Sequence, residues 1–165
     1  QLKKGREVKV ESLAEQTFYS ALPIRWGTTA VKFSFAPVNP AKVGPIANED
    51  SRYADDLKAR VKNGPLTFVL RVQPFTTEAE TPIEDPTKVW TSPWVDVAEL
   101  KILQQDAASD AGKALATKVE SLSFDPWHAP VEFRPVGAMM RARSHAYRDS
   151  TIERKAAKEP GPDEW

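Results

Sequence analysis

Two segments alternate apolar and polar side chains with a period of two, a pattern that commits the chain to a sheet with one apolar face. In Thr29 to Ala36, Val31, Phe33 and Phe35 alternate with Lys32 and Ser34. In Leu66 to Val72, Leu66, Phe68, Leu70 and Val72 alternate with Thr67, Val69 and Arg71. Successive strand residues point to opposite faces, so each segment offers one row of side chains to a core, as half-buried antiparallel strands do. Trp94 to Ile102 reads as a third strand and Val8 to Val10 as a short further one. Breaks at Pro37, Pro40, Gly44, Pro45, Gly64 and Pro65 separate them, and the 14 prolines in total fit a loop-rich β protein.

Between and after the strands the pattern turns helical. Glu49 to Val61 and Asp106 to Leu122 are expected helices, the second with Leu115, Val119 and Leu122 as its buried edge. Pro126, Pro130 and Pro135 then force an extended, irregular passage, and Gly137 releases it into a helix from Ala138 to Ala157. Lys158 to Pro162 ends that helix, so residues 158–165 are expected to form a solvated tail. There is no internal repeat and no linker. The expectation is an α+β fold in a single domain spanning residues 1–165, a length sufficient for one real core.

Charge and cysteine content remove several classes of function. Lys plus Arg and Asp plus Glu both number 23, which leaves no net field for nucleic acid or an anionic membrane. No apolar run reaches membrane-spanning length, and the opening Gln1-Leu2-Lys3-Lys4-Gly5-Arg6 lacks the apolar middle of a signal peptide. Cysteine is absent, so there are no disulfides, thiolate cages or thiol nucleophiles, and either redox compartment suits the chain. Because the chain does not begin with Met, a processed chain or the ordered remainder of a longer one is expected.

The last helix carries a stripe of chemically pointed residues. Arg143, Tyr147, Ser150 and Arg154 follow one another at steps of four, three and four, and so share a face, with Met139 a turn ahead. Tyrosine is one of the few side chains able to ligate haem iron, and it does so as phenolate. A permanent cation one turn away, as Arg143 is, favours the phenolate form. Arg154 supplies a counter-charge for a haem propionate.

Read out in order, Arg143-Ser144-His145-Ala146-Tyr147-Arg148-Asp149-Ser150 resembles the haem-ligand segment of catalases, in which arginine, three residues, the ligand tyrosine, one residue, Asp and Thr follow one another. Met139 and Arg154 stand where that family carries a methionine and a propionate-binding arginine. Asp85-Pro86-Thr87-Lys88-Val89-Trp90, followed by Asp96 to Leu103, resembles the family's Asp-x-Thr-Lys-Val-Trp loop and the strand after it, and Ala30 to Phe35 resembles a barrel strand. Leu122-Ser123-Phe124-Asp125-Pro126-Trp127-His128 with Arg134-Pro135-Val136-Gly137 is similar to the small catalase-related peroxidases. The similarity runs from Phe18 to Arg154 and covers the second half of the family's core.

The resemblance implies half of an antiparallel β-barrel, with packed helices and a C-terminal haem-ligating helix. It implies haem b as cofactor, Tyr147 as iron ligand, Tyr147 and Arg143 as catalytic residues, and Met139, Arg143, Tyr147, Ser150 and Arg154 as the haem-binding set. Hydrogen peroxide or an organic hydroperoxide is the implied substrate of a catalase-related peroxidase. An allene oxide synthase-type hydroperoxide isomerase or dehydratase, and a non-enzymatic haem-binding module, stay open as alternatives. The family's distal histidine and asparagine belong to segments preceding all those matched here. The expected partner is therefore the missing N-terminal half of the fold or a second chain, in a homo-oligomer, because an unclosed barrel leaves strand edges and an apolar interior exposed. Ala36 and Ser92 replace the lysine and histidine with which some catalases hold NADPH, so bound nucleotide is not expected, and Ser150 and Thr151 also depart from the family's usual residues.

Other candidate groups read as structural. His128 and His145 are the only histidines and have neither a nucleophile nor a zinc setting. Glu84 and Asp85 are neighbours whose side chains diverge in a proline-bounded loop, which argues against acid or base work. Met140 and the tryptophans Trp26, Trp90, Trp94 and Trp127 read as packing residues.

Overall fold

The structure is a computed structural model that describes residues 10–38 and 52–156. Its strands are β1 (Phe18–Tyr19), β2 (Ile24–Trp26), β3 (Thr29–Pro37), β4 (Leu66–Pro74) and β5 (Val95–Ile102), and its helices α1 (Arg52–Asn63), α2 (Asp110–Glu120) and α3 (Ala138–Glu153). Short 3-10 turns lie at Leu13–Glu15 and Val131–Phe133. The sheet is antiparallel in the order β1-β3-β4-β5, and β2 continues the β1 edge along the other end of β3.

The period-two pattern sets the register. Phe33 stands opposite Val72, Phe35 opposite Leu70, and Phe68 opposite Leu100, so the apolar rows of three strands fall on one face. At the α1 end of that face Ala14, Val61, Leu66 and Phe68 form a buried cluster, with Phe35, Leu57 and Ile102 against it. The opposite face carries Lys32, Ser34 and Gln73 and is covered by the loop running from Phe75 to Trp94. Gln73 donates from Nε2 to the carbonyls of Trp90 (3.0 Å) and Ser92 (2.6 Å), and the Trp90 indole donates to Pro82 O (3.0 Å). The Lys32 ammonium sits 4.8 Å from the Trp90 ring centroid, where burial lowers its pKa against the raising influence of Asp85.

A buried polar network fastens the segment before β1 to α1. The Ser12 hydroxyl caps the turn at Leu13–Glu15 by accepting from Ala14 N (3.1 Å) and donates to Asp56 Oδ2. Arg60 donates to Asp56 Oδ1 and to Glu15 Oε1, each at 2.8 Å. Ser12, Asp56 and Arg60 are all buried, so each charge depends on the others for its solvation.

Several expectations are corrected. The described sheet is open rather than closed into a barrel: β5 pairs only with β4, and every β5 residue except Ile102 is exposed. A bulge at Val97, where Leu70 pairs with Ala98 but Arg71 with Asp96, bends that edge strand. Packed helices are found only in part, because α2 buries nothing. Leu115 and Val119 are 52% and 42% exposed; Leu122 is buried but lies beyond the helix. Two apolar side chains make too narrow a stripe to bury the helix. The helix starts at Asp110 and not Asp106 because Ser109 caps it, accepting from Gly112 N at 3.1 Å, while Asp106 closes a preceding turn. α3 stops at Glu153, where Lys155 turns left-handed at φ 56°. β1 and β2 are too short to leave a periodic signal. The expected strand at Val8 to Val10 lies largely outside the described residues, as do residues 49–51 at the expected start of α1 and the expected tail at 158–165. Among the described residues no helix is long and apolar enough to cross a membrane.

Removing one partner from the network strands a buried charge. Asp56→Ala is expected to destabilise the fold by about 3 kcal/mol, because the buried Arg60 loses one of its two carboxylate partners among the described residues and the buried Ser12 hydroxyl loses its acceptor. The measurement is the shift of the urea midpoint at constant m-value; a change within experimental error would show that water reaches Arg60.

Candidate functional site

The helix carrying the stripe is delivered by β2. Arg25 N donates to Arg134 O (2.8 Å) and Gly27 N to Glu132 O (3.1 Å), Ile24 bridges to Pro135, and Val136 N reaches Pro23 O at 3.5 Å. Trp26 meets Phe133 edge to face at 5.3 Å between ring centroids. Only the end of the expected extended passage is extended: Pro126 to Ala129 turn and bend, Val131–Phe133 is a 3-10 turn, and Arg134 to Val136 lie along β2. Gly137 ends it at φ 92°, a left-handed conformation costly for any residue with a Cβ, and α3 begins at the next position.

On α3 the spacing does what it predicts for one pair. Arg143 Nη2 donates to the Tyr147 hydroxyl at 3.3 Å, and the guanidinium carbon lies 5.7 Å from the ring centroid. Tyr147 is half-buried. Met139 is 42% exposed one turn earlier, whereas its neighbour Met140 is buried and packs as expected. Ser150 and Arg154 follow on the same face, both exposed. Arg154 N donates to Ser150 O (3.1 Å) as the helix closes, and neither side chain contacts Arg143 or Tyr147. The five stripe residues therefore share a face, and the side-chain hydrogen bond between them joins Arg143 to Tyr147.

A cleft of about 710 Å³ opens beside this face, between Ser123 and Asp125 on one wall and Arg148, Thr151 and Lys155 on the other. Its helical wall lies roughly a quarter turn round α3 from the stripe, and Tyr147 is the stripe residue that reaches it. Thr151 donates to Arg148 O (2.7 Å) and Asp125 Oδ1 accepts from Trp127 N (2.9 Å), so part of the lining is occupied in local bonds. His145 also lines the cleft, two residues from Tyr147 and away from the stripe. Among the described residues no group of three or more His, Cys, Asp or Glu side chains is arranged to hold a metal ion. The one oxygen donor set beside a cation on this face is the Tyr147 phenol with Arg143.

The Asp85 to Trp90 segment organises a loop. The Thr87 hydroxyl (2.6 Å) and backbone N–H (2.9 Å) both donate to Asp85 Oδ1, holding that carboxylate below its usual pKa range. The Lys88 ammonium donates to Ala79 O, and buried Trp90 packs against Phe75. Ala36 and Ser92 are both buried, Ser92 donating to Pro74 O at 2.6 Å. Sequence reading missed one residue at this site. Glu84 accepts from Ala138 N at 2.6 Å across a separation of 54 residues, and no local spacing signals such a contact.

Comparison with known proteins places the architecture. No protein-family profile matches the chain, and no curated protein sequence does. Among solved structures, a fungal catalase superposes with a TM-score of 0.68 at 19% identity, over 89% of this chain and 32% of that one. A bacterial catalase superposes with a TM-score of 0.67 at 18% identity, over 87% of this chain and 31% of that one. The chain thus spans about a third of the length of the catalases it matches. At this identity the likeness speaks for architecture alone, and the architecture is catalase-like.

Proposed function

We propose that α3 is the proximal helix of a haem b protein that uses or decomposes peroxide, with Tyr147 as the iron ligand. The observation that carries this reading is the Arg143–Tyr147 contact, at 3.3 Å, on an exposed helix face of a catalase-like fold. The donor set fits the group. A half-buried phenol with a guanidinium on its oxygen is an anionic-ligand precursor of the kind a ferric ion takes. Haem bound there would supply a ferric centre at which peroxide can be split heterolytically. The chain's own residues have simpler tasks. Arg143 donates to the ligand oxygen and orients the ring, Met139 and Ser150 shape the proximal surface, and Arg154 offers a guanidinium to a propionate. The small catalase-related peroxidases are the proposed relatives, on the strength of the Leu122 to His128 and Arg134 to Gly137 segments.

The proposed substrate is hydrogen peroxide or an organic hydroperoxide. The proposed partner is the remaining half of the barrel, on the same polypeptide or on a second chain, within a homo-oligomer. What supports a partner is the open β5 edge and the apolar row left partly uncovered, with Leu100 44% exposed and Val95 48%.

Tyr147→Phe removes the ligand oxygen while keeping the ring, and is expected to abolish the tyrosinate charge-transfer absorption of haem-loaded protein. An unchanged spectrum would remove Tyr147 from the iron. Arg143→Ala is expected to lower haem affinity on the order of 10–100-fold, as loss of an outer-shell partner does, read by haem transfer to apomyoglobin together with the redox potential. Values equal to the parent's would show that Arg143 does not act on the ligand.

Peroxide heterolysis also needs a base to carry a proton from the inner to the outer oxygen, a contribution of roughly a hundred-fold to ten-thousand-fold. His145 lies off the stripe, and no histidine stands on it. Haem-loaded protein of these 165 residues is expected to turn over peroxide only feebly, measured by oxygen evolution and dye oxidation at equal haem occupancy. Fast turnover lost on replacing His128 or His145 would reassign those residues.

A further inference from the structure

We propose that Glu84 is the positioning residue of the ligand helix: its carboxylate, on a loop anchored to the sheet, holds the first turn of α3 and so sets where Tyr147 and Arg143 point. The consequence for the ligand rests on the haem reading above, whereas the clamp itself does not.

A helix leaves its first four N–H groups without intrahelical partners. In α3 the N-cap is Gly137, which has no side chain to satisfy them, and the first turn contains no acidic residue. Glu84 supplies both missing elements from outside, an acceptor at 2.6 Å from Ala138 N and a negative charge at the positive end of the helix. The two positions are matched in shape. A Cβ on Gly137 would lie 3.2–3.3 Å from Oε1, Oε2 and Cδ of Glu84, so the carboxylate occupies the space the glycine leaves.

Little else steers α3. Met140 is its only buried residue. Tyr147 lies nine residues beyond Ala138, about 13 Å along the axis at 1.5 Å per residue, so a tilt of ~10° at the base would displace it by about 2 Å. A ligand side chain tolerates roughly 0.5 Å. The other end of the lever is firm, because Glu84 lies between Pro82, whose carbonyl accepts from the buried Trp90 indole at 3.0 Å, and Asp85, bonded twice by Thr87. Gln73 ties Trp90 to β4. Sheet, loop, carboxylate and helix form one mechanical path.

The test uses the full chain without haem, then with it. Glu84→Ala is expected to accelerate amide hydrogen exchange in the first turn of α3 by about tenfold and to shift the Tyr147 ring resonances. Glu84→Gln, which keeps an oxygen acceptor and loses the charge, should recover part of both effects. Gly137→Ala crowds the carboxylate and also strains the backbone at φ 92°, so it should loosen the first turn at least as much as Glu84→Ala, and the double variant should lose less than the sum of the two, because both act on one contact. With haem, Glu84→Ala should weaken binding and Glu84→Gln partly restore it. Unchanged exchange and Tyr147 resonances in Glu84→Ala, or independent addition of the two single effects, would overturn the proposal. If the parent fails to bind haem while Glu84→Ala still loosens α3 and moves Tyr147, the haem reading falls and the positioning role stands.

Discussion

The register of β3 against β4 is the constraint on which the rest of the molecule depends. With Phe35 opposite Leu70 and Phe33 opposite Val72, the phenylalanines and leucines of both strands fall on one face. A slip of β3 by one residue would place Lys32 and Ser34 beside the apolar row of β4 instead, and the core under α1 would lose Phe35. From that register follow the position of β5, the cover that α1 gives to Phe68, and the polar face on which the Phe75 to Trp94 loop is tied down by Gln73.

The sheet also serves as the base from which a helix is aimed. On one side β2 holds the Glu132 to Val136 passage by backbone bonds, and on the other the loop pinned by Trp90 extends Glu84 to the helix end. Gly137 is the joint between them, and only a residue without a Cβ suits both its left-handed backbone and the carboxylate alongside. Helix α3 therefore leaves the sheet with a defined direction although it buries almost nothing of its own.

Exposure in this structure is concentrated on one edge strand and two helices. Every β5 residue but Ile102 is exposed, no residue of α2 is buried, and the stripe residues other than Tyr147 are exposed. By contrast the Ser12–Asp56–Arg60–Glu15 network is closed, its buried charges paired at 2.8 Å. The buried charges of the described residues thus gather at the α1 end of the fold.

The sequence by itself determined the local periodicities: the three long strands, the helical α1, and the one-face stripe from Met139 to Arg154. Those follow from backbone geometry, which repeats every two residues in a strand and every 3.6 in an α-helix, whatever surrounds it. It overreached where burial was inferred from periodicity, as at Leu115 and Val119, because a stripe shows which side would pack but not whether anything is there to pack against. Only the tertiary structure decided that Tyr147 sits at the border of a cleft, that short β1 and β2 complete an edge, and that Glu84 meets Ala138 across 54 residues. Such contacts join segments distant along the chain, and local residue chemistry carries no record of which distant partner will arrive.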